Sequence, residues 1–158
     1  MTTAIQFLNG VIRPVLHDMD MWSKSAERLL LMTASHESGG FKHRKQVGGG
    51  PALSFYQIEP DTLRDLYRNH LSFHGHKREA IRLFELEGFD TPEIALLDDK
   101  YATAAARLIY SRCPEPLPDA ADLENLGRYC KSYWNTDLGK ATPQKYVDDF
   151  MRYAGDTL

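Results

Sequence analysis

The sequence predicts a mainly helical domain with one small β-hairpin element. Apolar residues recur at helical spacing through most of the 158 residues. Five of the eleven glycines, together with Pro51, crowd into residues 39–58, so that stretch is not a helix and is expected to hold short strands and turns. Apolar residues make up 42% of the chain and charged residues 26%, a mix that builds a core and argues against disorder. The length fits a single domain over 1–158, able to bury a core without a metal or a disulfide.

The elements follow in order. A first helix is expected within 3–15, disturbed by Pro14. A second runs from a cap at Ser23 or Ser25 to about Ser38, with Ala26, Leu29, Leu30, Thr33 and Ala34 on its apolar face. Gly39 or Gly40 supplies the left-handed stop. A third starts at Pro60, where a missing N–H costs nothing, and a fourth covers about 77–87. Residues 98–112 carry Tyr101, Ala104, Ala105, Leu108 and Ile109 as one buried stripe. The proline-rich run 113–118 ends that helix. Residues 119–134 form the next, with Leu123, Leu126, Gly127, Cys130, Tyr133 and Trp134 on one face. Thr142 and Pro143 open the last helix, whose face is Tyr146, Val147, Phe150 and Met151.

Several function classes are disfavoured. A net charge of -3 argues against a strongly basic nucleic-acid binder. No apolar run approaches the roughly 18 residues of a membrane span. The N-terminus has no basic region followed by an unbroken apolar stretch, so no secretory signal is expected. Cys113 and Cys130 make neither a disulfide framework nor a metal quartet; free thiols are expected, although a disulfide between them is geometrically conceivable. His70, His74 and His76 lack a companion motif and read as a solvated helix end rather than a metal site. The run Lys42-His43-Arg44-Lys45 reads as a solvated loop. No cofactor and no metal are expected.

Glu37 is the leading candidate for chemistry. It continues the buried stripe of its helix and stands in the last turn. Desolvation and the negative end of the helix dipole both disfavour its charged form, as a general acid near neutrality requires. Periodicity alone equally admits a helix-ending glutamate that faces solvent.

The segment around Glu37 separates those readings. The run His36-Glu37-Ser38-Gly39-Gly40-Phe41, followed by Ala52, Gln57, Ile58, Pro60 and Thr62 in the register Ala-x-Gly-Leu-Met-Gln-Ile-x-Pro-x-Thr, resembles the soluble lytic transglycosylase family. The alanine-rich stretch 101–110 and Tyr133-Trp134-Asn135 extend the resemblance, so that it spans about 29–135. Two departures stand out: Ser54-Phe55-Tyr56 replace the usual Gly-Leu-Met, and Trp134 separates Tyr133 from Asn135.

The resemblance implies a lysozyme-like fold with a β-element beside the catalytic glutamate, and peptidoglycan glycan strands as substrate. It places Glu37 as the one catalytic carboxylate, acting first as acid and then as base to leave 1,6-anhydro-MurNAc ends. Ser38, Ser54, Tyr56, Gln57, Tyr133 and Asn135 become the expected cleft residues; Tyr133 or Trp134 takes the family's tyrosine position, and Tyr133 is either a partner for Glu37 or part of an aromatic stripe in the core. Glu59 and Asp61 are the nearby carboxylates, and Glu59 reads as a first-turn helix residue rather than a second catalytic acid. The absent secretory signal fits a phage-encoded protein that reaches the periplasmic wall within a virion or after membrane disruption. The competing class is a lysozyme-like virion or assembly component, in contact with other phage proteins, with hydrolytic activity or none.

Overall fold

The computed structural model describes residues 1–135 and 139–158. The chain is mainly helical, and among the described residues there is no strand. The helices are α1 (Ala4–Phe7), α2 (Arg13–Asp18), α3 (Lys24–Glu37), α4 (Pro60–Asn69), α5 (Gly75–Arg82), α6 (Pro92–Ala95), α7 (Asp99–Ser111), α8 (Leu123–Cys130) and α9 (Pro143–Ala154). None among the described residues is long and apolar enough to cross a membrane.

Helix α3 is the centre of the bundle. Ser23 caps it by accepting from the Ala26 N–H at 2.9 Å, and every residue from Leu29 to Ser35 is buried. A helix apolar on all sides must be enclosed, and α9, α8 and α7 pack around this one. Its buried charge is Glu27, 2% exposed, which the Arg13 guanidinium grips with bonds of 3.1 and 2.7 Å and the Trp22 indole N–H reaches at 2.7 Å.

Close helix approach depends on two glycines. A Cβ at Gly127 would stand 2.6 Å from the Pro143 carbonyl oxygen and 2.8 Å from Val147, so only glycine admits the α8–α9 contact. At Gly40 a Cβ would lie 2.5 Å from the Tyr153 ring. That position has φ +82°, which only glycine adopts without strain.

Several expectations are corrected. The disturbance expected at Pro14 takes the form of a π-turn at Leu8–Ile12, which absorbs the hydrogen bond that proline cannot make, and the helical path runs on past Val15 to Asp18. The fourth helix stops at Arg82 rather than near 87. The helix expected over 119–134 is α-helical only from Leu123 to Cys130, then runs into a π-turn, Lys131–Asn135. The β-hairpin is reduced to isolated bridges, Lys45 with Leu53 and Leu53 with Ile58. His70 is no solvated end: it is buried, stacked on His74 at 4.0 Å, with Lys77 Nζ 3.0 Å from its Nε2, and burial pushes its pKa down to about 4. In the run read as a solvated loop, Lys42, His43 and Lys45 are exposed, while Arg44 is ion-paired as well, forking onto Asp99 at 2.9 and 2.8 Å and lying 4.1 Å over the Phe55 ring. Cys113 and Cys130 are free thiols; Cys113 is only half-buried, and burial pushes the Cys130 thiol up to about 12, so it stays neutral.

Candidate functional site

The site starts where α3 ends. The Ser38 hydroxyl donates to the Ala34 carbonyl at 2.6 Å and accepts from the Phe41 N–H at 2.6 Å, and Gly39 and Gly40 turn the chain with φ of +64° and +82°. This stop leaves Glu37 half-buried at the mouth of a cleft of about 630 Å³.

The loop after α3 builds one wall. Phe41 and Phe55 meet at 5.5 Å and both contact Phe7, which fastens the loop to the core. Leu53 and Ile58 exchange backbone hydrogen bonds of 2.9 and 2.8 Å around the tight turn Ser54–Gln57. Ser54 and Gln57 hold φ of +73° and +54° within it, a left-handed conformation that costs a non-glycine residue about 1–3 kcal/mol. Outside the turn, Gln46, Gln57 and Ile58 line the cleft; α4 contributes Glu59 and Thr62, α7 contributes Ile109, and the π-turn after α8 contributes Tyr133, Trp134 and Asn135.

Among the described residues, the carboxyl of Glu37 has one side-chain donor, the Tyr146 hydroxyl of α9 at 2.8 Å. The nearby Asn135 side chain acts on that hydroxyl to lower its pKa. Beneath Glu37, Thr33 one turn earlier on α3 bonds the Tyr110 hydroxyl at 2.8 Å and lies 3.5 Å from Cys130 Sγ. Burial raises the Glu37 pKa above its ordinary value; donation from Tyr146 and the proximity of His36 oppose that rise without cancelling it. Burial, and then the facing Glu37, push the Tyr146 phenol far up, so it remains a donor. A carboxyl that keeps its proton longer than usual, at the edge of an open cleft, can protonate a leaving oxygen. The same hydrogen bond from Tyr146 lets it return to the anionic form.

The structure gathers Glu37, Gln57, Tyr133 and Asn135 around the cleft and excludes three expected residues from it. Ser38 is buried and spends its hydroxyl on ending α3. Ser54 is buried, with its hydroxyl accepting from the Tyr56 N–H at 3.1 Å. Tyr56 points into the core, where its hydroxyl meets Thr103 at 2.8 Å, while its carbonyl accepts from the Trp134 indole at 3.1 Å. Gln57 turns its amide back to the Ser54 carbonyl at 2.8 Å, which fixes the turn.

Tyr133 is half-buried, and its ring lies against that of Tyr129, centroids 4.6 Å apart and planes tilted by 57°. Its expected contact with Glu37 belongs to Tyr146. The reason is phase: the π-turn adds a residue to its turn and rotates Tyr133 off the face shared by Leu126 and Cys130. Sequence reasoning left Tyr146 among the core residues of its helix. The available signal was its hydroxyl, since a buried tyrosine needs a partner for that group. No family model, no curated protein and no solved structure matches the chain.

Proposed function

We propose that this protein cleaves the β-1,4 bond between MurNAc and GlcNAc in peptidoglycan as a lytic transglycosylase on a lysozyme-like scaffold. The observation that supports this most is Glu37, a half-buried carboxyl with a raised pKa, held by the neutral Tyr146 hydroxyl in the lining of a cleft of about 630 Å³. Ser54 adds support: it takes the left-handed φ that glycine adopts freely, at the position where the resembled family carries glycine.

In this reading the Glu37 proton passes to the glycosidic oxygen as the bond from C1 breaks, and the N-acetyl oxygen of the substrate stabilises C1. The Glu37 carboxylate then takes the proton of the C6 hydroxyl, and O6 closes on C1 to give the 1,6-anhydro ring. No water is consumed. The Tyr146 hydroxyl stabilises the carboxylate between the two proton transfers. Positioned proton transfer of this kind contributes about 10²–10⁴-fold to rate. The site of action is the periplasmic cell wall, reached by a phage-borne protein that sits beside other virion components.

Hydrolysis is the second reading, favoured by one observation: Glu59 lines the same cleft and stands free of a capping role at the start of α4. Digestion of purified peptidoglycan in ¹⁸O-labelled water separates the two. Transglycosylation gives 1,6-anhydro-MurNAc ends without label. Labelled reducing ends that disappear in Glu59→Gln establish hydrolysis instead, and intact wall polymer would leave only the binding or assembly role.

A further inference from the structure

Helix α9 meets the end of α3 through a pair of groups that flank the Tyr146–Glu37 bond. On α3, His36 directly precedes Glu37. On α9, Asp149 follows Tyr146 by three residues and so lies on the same face. His36 Nδ1 donates to Asp149 Oδ2 at 2.7 Å, and Lys145 Nζ reaches the other carboxylate oxygen at 3.2 Å. The His36 ring lies against the Tyr146 ring, centroids 4.1 Å apart. Asp149 is 7% exposed and Tyr146 fully buried.

A buried charged group is a poor way to hold two helices together, because desolvation offsets most of the attraction. Apolar contacts already join α9 to the bundle through Phe150 and through the close approach at Gly127. What a directional bond adds is register: it fixes the rotation and height of α9 against α3, and with them the place of the phenol. We propose that His36 and Asp149 are positioning residues, and that their hydrogen bond holds the Tyr146 hydroxyl on Glu37 and thereby sets the proton affinity of that carboxyl. As a statement about catalysis this rests on the reading of Glu37 as acid and base; as a statement about proton affinity it does not.

The groups near Glu37 are His36 on its own helix, Tyr146 from α9, Cys130 from α8 and Glu59 on the cleft wall; Asp149 and Lys145 lie behind His36. The signs of the competing effects differ. Removing the negative charge of Asp149 acts through space to lower the Glu37 pKa. Releasing Tyr146 removes a donor to the carboxylate and raises it.

The experiment titrates the Glu37 carboxyl carbon by NMR in wild type, Asp149→Ala, Tyr146→Phe and the double variant of the full chain. Loss of the donor should increase the ratio of protonated to ionised Glu37 about threefold to tenfold at a given pH. Asp149→Ala should show a rise of the same sign, the rise should vanish in the Tyr146→Phe background, and Asp149→Asn, which keeps an acceptor for His36 but not the charge, should show no rise. If Asp149→Ala does not fold, Asp149→Leu breaks the same bond while filling its place and is read by the same cycle. An unchanged or lowered Glu37 pKa, or a rise that persists without the Tyr146 hydroxyl, overturns the proposal. Where wall cleavage is measurable, the same variants should lower kcat and leave KM unchanged. If wild type cleaves nothing, the proposed function fails while the titration still decides the positioning role.

Discussion

Two glutamates leave the central helix ten residues apart, and they show that burial alone does not decide the state of a carboxyl. Glu27, in the first turn of α3, is the more enclosed, at 2% exposed. Burial pushes its pKa up, but hydrogen bonds from Arg13 and Trp22 and the nearby Lys24 outweigh that and hold it below the ordinary value. It also faces the positive end of the helix dipole. Glu37, at the opposite end, is half-buried, with one neutral donor and the negative end of the dipole behind it, and its pKa is raised. One carboxylate is fully matched and belongs to the fold. The other is under-matched, and an under-matched carboxyl beside a cleft is where acid chemistry becomes available.

The largest separation is expected in activity. Glu37→Gln should reduce wall cleavage by about 10²–10⁴-fold with the melting temperature preserved, whereas Glu27→Gln should retain turnover per folded molecule. A melting curve and a turbidity assay on the same preparations check both. Retained cleavage in Glu37→Gln would remove that residue from the chemistry.

Stability should separate next. Arg13→Ala strips the buried Glu27 of its bidentate partner and leaves only Trp22 and Lys24, a loss of about 2–3 kcal/mol in denaturant unfolding at neutral pH. The two glutamates should also give opposite pH signatures. Glu27 has a depressed folded pKa, so its stabilisation is present above the ordinary value of 4.5 and lost as pH falls through the folded value. Glu37 has a raised folded pKa, so its contribution is present below 4.5 and lost as pH rises through the folded value. Relative to wild type, Glu27→Gln should therefore be most destabilised near neutrality, and Glu37→Gln most destabilised in acid. Parallel pH dependence in the two variants would erase the distinction.

Smaller effects follow at the tyrosines. Tyr146→Phe removes one hydrogen bond, about 1 kcal/mol, and should move the basic limb of the pH–rate profile to higher pH as Glu37 holds its proton longer. Tyr133→Phe should leave the profile where it is, because the hydroxyl of Tyr133 does not hold Glu37. A shift with Tyr133→Phe and none with Tyr146→Phe would reverse these assignments.

What the sequence made legible tracks how local the determinant is. The starts of α3, α4 and α9 rest on Ser23, Pro60 and the Thr142-Pro143 pair, caps and first-turn residues that act within a few positions, and all three begin where expected. The end of α3 at the Gly39-Gly40 turn was equally readable, and with it the place of Glu37 at a helix terminus. Two features were not. The π-turns after Phe7 and Cys130 change helical phase without any local marker beyond Pro14, and the second carries Tyr133 from the expected core face to the cleft wall. The face of α9 was read as Tyr146, Val147, Phe150 and Met151, yet Met151 is exposed and Asp149 buried. A charged residue joins an apolar face only where a partner waits, and that partner, His36, lies 113 residues away. For the same reason the donor to Glu37 was invisible: its partnership exists only once α9 has folded back onto α3.

A carboxyl-carbon NMR titration of the wild-type protein tests the contrast between the two ends of α3 in a single experiment. Glu37 should titrate above 4.5 and Glu27 below it. A Glu37 that titrates at or below 4.5 would contradict the assignment of acid chemistry to the C-terminal end of this helix.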